Sequence, residues 1–166
     1  MKNRIFCAAA ICMTAACMGS GGSSGSGGSS VEASMTAMDN STDRSFGGML
    51  NSVRSANGAN SVTYDARLGV AAQTHANDML TNNFFSHQGS DGSNAGQRIQ
   101  RAGYNWRTWG ENIAQGQQSE EAALRAWVNS PGHQSNNVNP NFEDFALARA
   151  GSGRNLYWVL VLASES

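Results

Sequence analysis

The ordered part of the chain begins near Ser41, where apolar residues first recur with a period. Phe46, Met49, Leu50 and Val53 are spaced for one face of a helix, with Ser41, Thr42 and Asp43 as candidate caps and Asn57-Gly58 as its stop. Asp65 caps a second predicted helix whose apolar face carries Leu68, Ala71, Ala72, Ala76, Met79 and Leu80, and which ends at Asn82-Asn83. His75 shares that face, where a lone histidine reads as a satisfied core residue. A loop through Gly89-Ser90-Asp91-Gly92 leads to a short helix from Asn94 to Ala102, stopped by Gly103. Trp109 to Ala114 alternates as a strand, with Trp109, Glu111 and Ile113 facing one way. Ser119 caps a further helix with Leu124, Trp127 and Val128 on its apolar face, and Glu120 and Glu121 suit the positive end of its dipole. Ser130-Pro131 repeats the start signal, with Pro131 at the first helical position. Two strands close the pattern, Phe142 to Ala150 and Leu156 to Ala163, joined around Gly151-Ser152-Gly153. The last is apolar on both faces and so should be central. Helices before and between the strands predict an α/β sandwich, with helices on both faces of a small antiparallel sheet.

The start of the chain reads differently. Lys2 and Arg4 precede an apolar run from Ile5 to Ala16, too short to span ~30 Å of hydrocarbon at ~1.5 Å per residue. It ends in Thr14-Ala15-Ala16-Cys17, which resembles a bacterial lipobox, with Thr14 where Leu is usual. The reading is a signal peptide over 1–16 and lipidation at Cys17; the alternative is simple secretion after cleavage behind Ala16. Residues 17–40 form a Gly/Ser-rich linker, and 41–166 the domain. The linker cannot bury enough surface to order itself, and Met18 to Asn40 would span roughly 25 Å as a coil.

Composition narrows the function. Beyond Lys2 and Arg4 the chain holds nine Arg, no Lys and twelve acids. That balance excludes a broad nucleic-acid footprint, which needs a clustered basic face. All three cysteines lie in the first seventeen residues, so the domain has neither disulfide nor thiolate metal site.

Four motifs stand in order: Phe84-Phe85-Ser86-His87, Trp109-Gly110-Glu111-Asn112-Ile113-Ala114, Ala126-Trp127-Val128-Asn129-Ser130-Pro131-Gly132-His133, and Tyr157-Trp158-Val159. Over about 44–163 the chain resembles the CAP superfamily, or SCP domains: cysteine-rich secretory proteins, antigen 5 and pathogenesis-related-1 proteins. It is most similar to the cysteine-free bacterial branch. The resemblance implies a three-layer α-β-α sandwich and a cleft with two His and two acids. His87 matches the first His, Glu111 the first acid and His133 the second His. Ser130 stands where the second acid is usual, and Glu120 and Glu121 lie one to two turns upstream. Phe145-Ala146-Leu147-Ala148 replaces the usual glycines of the following strand.

Two neutral imidazoles and a carboxylate suit a divalent ion such as zinc, with His87 and His133 as ligands. The opposing reading is a buried polar network that positions turns. Without the second acid no general base is evident, and Ser130 is explained as a cap. Trp127 and Trp158 read as core, and Trp106 as an exposed loop aromatic. The chain is therefore expected to be a monomeric binding module of the bacterial cell envelope, held to the membrane only by its lipid. Its expected partners are a small apolar ligand, a glycan or an envelope protein. The alternatives are a metal-dependent hydrolase using the same cleft and a structural surface protein.

Overall fold

The computed structural model describes residues 44–166. The signal segment, Cys17, the linker and the caps Ser41 to Asp43 lie outside the described residues. Helix α1 covers 44–56 and is followed by β1 (Thr63–Tyr64), α2 (Ala66–Asn82), α3 (Ala95–Arg101), β2 (Trp106–Gln115), α4 (Glu120–Val128), α5 (Pro131–Asn137), β3 (Asp144–Ala150) and β4 (Tyr157–Glu165). A single 3-10 turn, Gly153–Asn155, joins β3 to β4.

The four strands run in the order β1-β3-β4-β2. Strand β4 pairs antiparallel with β3 on one side and β2 on the other, as its apolar run on both faces requires. Alternation sends Tyr157, Val159, Val161 and Ala163 into a core with α2 and α3. Leu160 and Leu162 enter a second core with Phe46 and Leu50 of α1 and Trp127 of α4. The result is the expected three-layer sandwich.

The sheet is mixed rather than wholly antiparallel. Thr63 and Tyr64 pair parallel to Asp144 and Phe145, an element too short to leave a period in the sequence. Leu80, assigned to the apolar face of α2, is 37% exposed, because it lies on the flank of the buried stripe whose last member, Met79, is fully buried. The starts of α2, α3 and α4 and the stops of α2 and α3 agree with the predicted signals. Asp65 accepts from the N–H groups of Arg67 and Leu68. Asn83 ends α2 in the left-handed region at φ 51°, and Gly103 follows α3 at φ 87°. Among the described residues no helix is long and apolar enough to cross a membrane.

Candidate functional site

Strand β2 places the site. Its alternation turns Glu111 toward the α2/α3 layer and Asn112 toward α5. Glu111 is held at both oxygens. Its Oε1 accepts from His87 Nδ1 at 2.8 Å, and its Oε2 accepts from Arg98 Nη2 at 2.8 Å. Because a carboxylate only accepts, the His87 proton sits on Nδ1, and Nε2 of the neutral ring keeps its lone pair. The Glu111 side chain is 2% exposed and that of His87 58% exposed. A buried carboxylate therefore presents an imidazole to solvent. Arg98 also donates to the backbone oxygens of Ser93 and His87, so it fixes the loop as well as the charge.

Asn112 ties the opposite layer to the strand. Its Nδ2 donates to His133 O at 3.0 Å and to Asn137 Oδ1 at 2.9 Å, and its Oδ1 accepts from Asn136 Nδ2 at 2.9 Å. Asn136 Nδ2 also reaches Glu111 O at 3.3 Å. Gly110 stands just before this pair, where a Cβ would lie 2.9 Å from the Phe142 ring. Arg54, fully buried on α1, closes the far end of α5. It donates to the carbonyls of Asn60, Asn137, Asn139 and Phe142. Burial lowers its pKa from the usual arginine value, and the four carbonyls satisfy the cation in place of a counter-charge.

Ser130 does not serve as the side-chain cap that its place before Pro131 suggested. It occupies the N-cap position but makes no capping hydrogen bond, and its Oγ lies 2.8 Å from His133 Nδ1. Burial, and then the repulsion that His87 would exert once both rings are protonated, lower the pKa of the half-buried His133 below the usual histidine value. Both histidines are thus held through Nδ1, His87 by a carboxylate and His133 by a hydroxyl. Glu120 and Glu121 do not supply the second acid. They remain on the first turn of α4, where Glu121 bonds to Ser119, and neither pairs with either histidine.

The remaining candidates fall as follows. Trp127 and Trp158 are buried, with Nε1 donated to Ile113 O and Gln117 O. Trp106 opens β2 instead of lying in a loop. It is 36% exposed, donates to Gly96 O and meets Trp109 edge-on at 6.2 Å. His75 is buried but only half satisfied. Nε2 bonds to Ser86 O at 2.8 Å, and Nδ1 has no partner among the described residues.

The donor set bears on the metal expectation. Both Glu111 oxygens are engaged, so a cation would meet the imidazoles and not the carboxylate. Among the described residues no group of three or more His, Cys, Asp or Glu stands together as a metal site. A closed three-ligand site of His87, Glu111 and His133 does not fit this arrangement.

The sequence of residues 48–162, more than half the chain, matches the model of the cysteine-rich secretory protein family. The chain belongs to the CAP family. Bacterial proteins are among its relatives. The uncharacterized protein YkwD of Bacillus subtilis (strain 168) is 33% identical over 105 residues, covering 63% of this chain and 41% of that protein. An extracellular SCP-domain protein of Bacillus anthracis str. Ames superposes with a TM-score of 0.70 at 27% identity, covering 79% of this chain and 43% of that one. An outer surface protein of Borrelia burgdorferi has a TM-score of 0.67 at 20% identity, covering 74% and 92%, and shares the fold. This CAP chain thus spans less than half the length of YkwD and of the B. anthracis protein. These structural relatives are extracellular or outer-surface proteins.

Proposed function

We propose that this CAP domain is an extracytoplasmic binding module, carried on the bacterial envelope by a lipid on Cys17 and the Gly/Ser linker. Its cleft would hold the ligand through the outward nitrogens of His87 and His133. One observation carries the reading: a 58% exposed imidazole backed by a carboxylate that is 2% exposed and charge-neutralised by Arg98. A carboxylate behind a histidine fixes its tautomer and raises its strength as an acceptor or ligand. If a divalent ion such as zinc enters, the two imidazoles are the donors and Glu111 remains the orienting group behind them. Two donors leave the other positions to a bound molecule or water. The hydrolase alternative is less well supported, because Glu111, the one carboxylate paired with these histidines among the described residues, is committed to His87 and Arg98 and so is not a free base.

Calorimetric titration of the domain with Zn²⁺ tests the cleft. Binding that is lost in His87→Ala and in His133→Ala, and weakened about 10- to 100-fold in Glu111→Gln, is the expected result. Turnover of a peptide or ester that disappears in the histidine variants would overturn the binding-module reading. The anchor is tested separately. Labelled fatty acid should enter the parent protein in cells and not Cys17→Ala.

A further inference from the structure

His87 stands in the loop between α2 and α3, and the direction of its side chain depends on the two peptide planes that meet at its Cα. Each plane is held by a buried side chain from outside the loop. The carbonyl of Ser86, which shares a plane with His87 N, accepts from His75 Nε2 at 2.8 Å. The carbonyl of His87 itself accepts from Arg98 Nη2 at 3.0 Å. His75 is fully buried on α2, and Arg98 is buried on α3. With both planes held, the Cα–Cβ bond of His87 is aimed, and Glu111 Oε1 sets the rotation of the ring.

Packing alone does not account for a histidine at this position. The other buried residues of α2 are Leu68, Ala71, Ala72, Ala76 and Met79, a face that an aliphatic side chain would suit. A carbonyl only accepts, so the proton of the neutral His75 ring is on Nε2, and Nδ1 is a buried acceptor with no partner among the described residues. An unpaired buried acceptor costs stability that Leu would not. What the histidine adds is one N–H aimed at Ser86 O, and a ring contact with Phe84, centroids 6.2 Å apart, at the start of the same loop. Other bonds of the loop close on its own backbone or its ends. Phe84 N–H goes to Met79 O, Gln88 N–H to Ser86 Oγ and Gly89 N–H to Ser93 O, and none of these holds the Ser86–His87 peptide.

We propose that His75 is a positioning residue of the His87 cleft: its Nε2–H holds the Ser86–His87 peptide in the orientation that brings His87 Nδ1 onto Glu111 and turns Nε2 outward. It touches no ligand and acts only through that peptide. The inference rests on His87 facing the ligand, as proposed above. Without the His75 donor the peptide can rotate, the bond to Glu111 lapses, and the His87 proton is no longer confined to Nδ1.

The test uses the ¹⁵N-labelled protein without ligand at neutral pH, with histidine tautomers read from long-range ¹H–¹⁵N correlations of the rings. In the parent, His75 should be the Nε2–H tautomer and His87 the Nδ1–H tautomer. His75→Leu should leave His87 as a mixture of tautomers, with no change of tautomer at His133. His75→Gln, which restores a side-chain N–H, should return His87 to Nδ1–H. Zn²⁺ affinity should fall about tenfold in His75→Leu and recover in His75→Gln. The tautomers are read without ligand, so they decide the role of His75 whether or not the cleft binds Zn²⁺. If His75→Leu does not fold, His75→Asn, whose amide stops at the level of Nδ1, takes its place and should behave as Leu is expected to. An Nδ1–H tautomer at His75 in the parent, an unchanged His87 in the folded Leu or Asn variant, an equal change at His133, or no recovery in His75→Gln overturns the proposal. A lower urea midpoint with His87 unchanged would show a merely structural role.

Discussion

Arg98 Nη2 lies 2.8 Å from Glu111 Oε2, and both side chains are almost fully buried. Removing only the guanidinium would leave a carboxylate in the core with His87 as its remaining side-chain partner. Arg98→Met should therefore destabilise the domain by about 3–5 kcal/mol in urea unfolding. The double variant Arg98→Met/Glu111→Gln should recover a large part of that loss. Additive losses in the pair would show that the two charges do not depend on each other.

Arg54→Met removes the donor to four carbonyls around the end of α5. The expected cost is about 3 kcal/mol or more, since buried acceptors lose their partners together. Hydrogen exchange should speed up first in 131–142. Uniform acceleration across the domain would contradict a role centred on α5.

Gly96 faces two indoles. A Cβ there would lie 2.5 Å from Trp109 Nε1 and 3.2 Å from the Trp106 ring. Gly96→Ala should cost about 1–3 kcal/mol by overpacking. It should also shift the tryptophan emission of the folded protein, and an unchanged spectrum would show that the pair does not move.

Burial is the main cause that lowers the pKa of both His75 and His133. In the unfolded chain each titrates near 6.5, so between neutrality and the folded pKa the unfolded state binds more protons. Stability should therefore fall as pH drops through about 6.5, and level off once the folded histidines also protonate. Urea midpoints measured across mildly acidic to neutral pH, with the two histidines followed by NMR, check the sign. Greater stability on acidification would contradict it.

Much of this architecture is legible in the sequence because it rests on period and punctuation. Asp65, Asn83, Ser119 and Gly103 act locally, so their neighbours alone specify them. His87 and Glu111 come together as the family motifs imply. Their partner Arg98 has a fainter signal in the sequence. Ala95, Ile99 and Ala102 mark the apolar face of α3, and Arg98 lies on it. Arg54 likewise falls on the face of Phe46 and Leu50. A cation in phase with a buried face is a request for distant acceptors, and only the tertiary fold names them. Ser130 shows the converse. Its position fits a cap, but the hydroxyl goes to His133, three residues on and within the same turn. Strand β1 offered no signal, since two residues cannot display a period.

Strand β4 is an inner strand that joins β2 to β3, yet it follows every other described element along the chain. A polypeptide delivered from its N-terminus, from the ribosome or through a membrane pore, presents β2 and β3 before the strand that joins them exists in the same compartment. Neither core can close until Tyr157 to Glu165 has emerged. The chain order thus acts as a delay on folding, with both cores left open until the last strand is available.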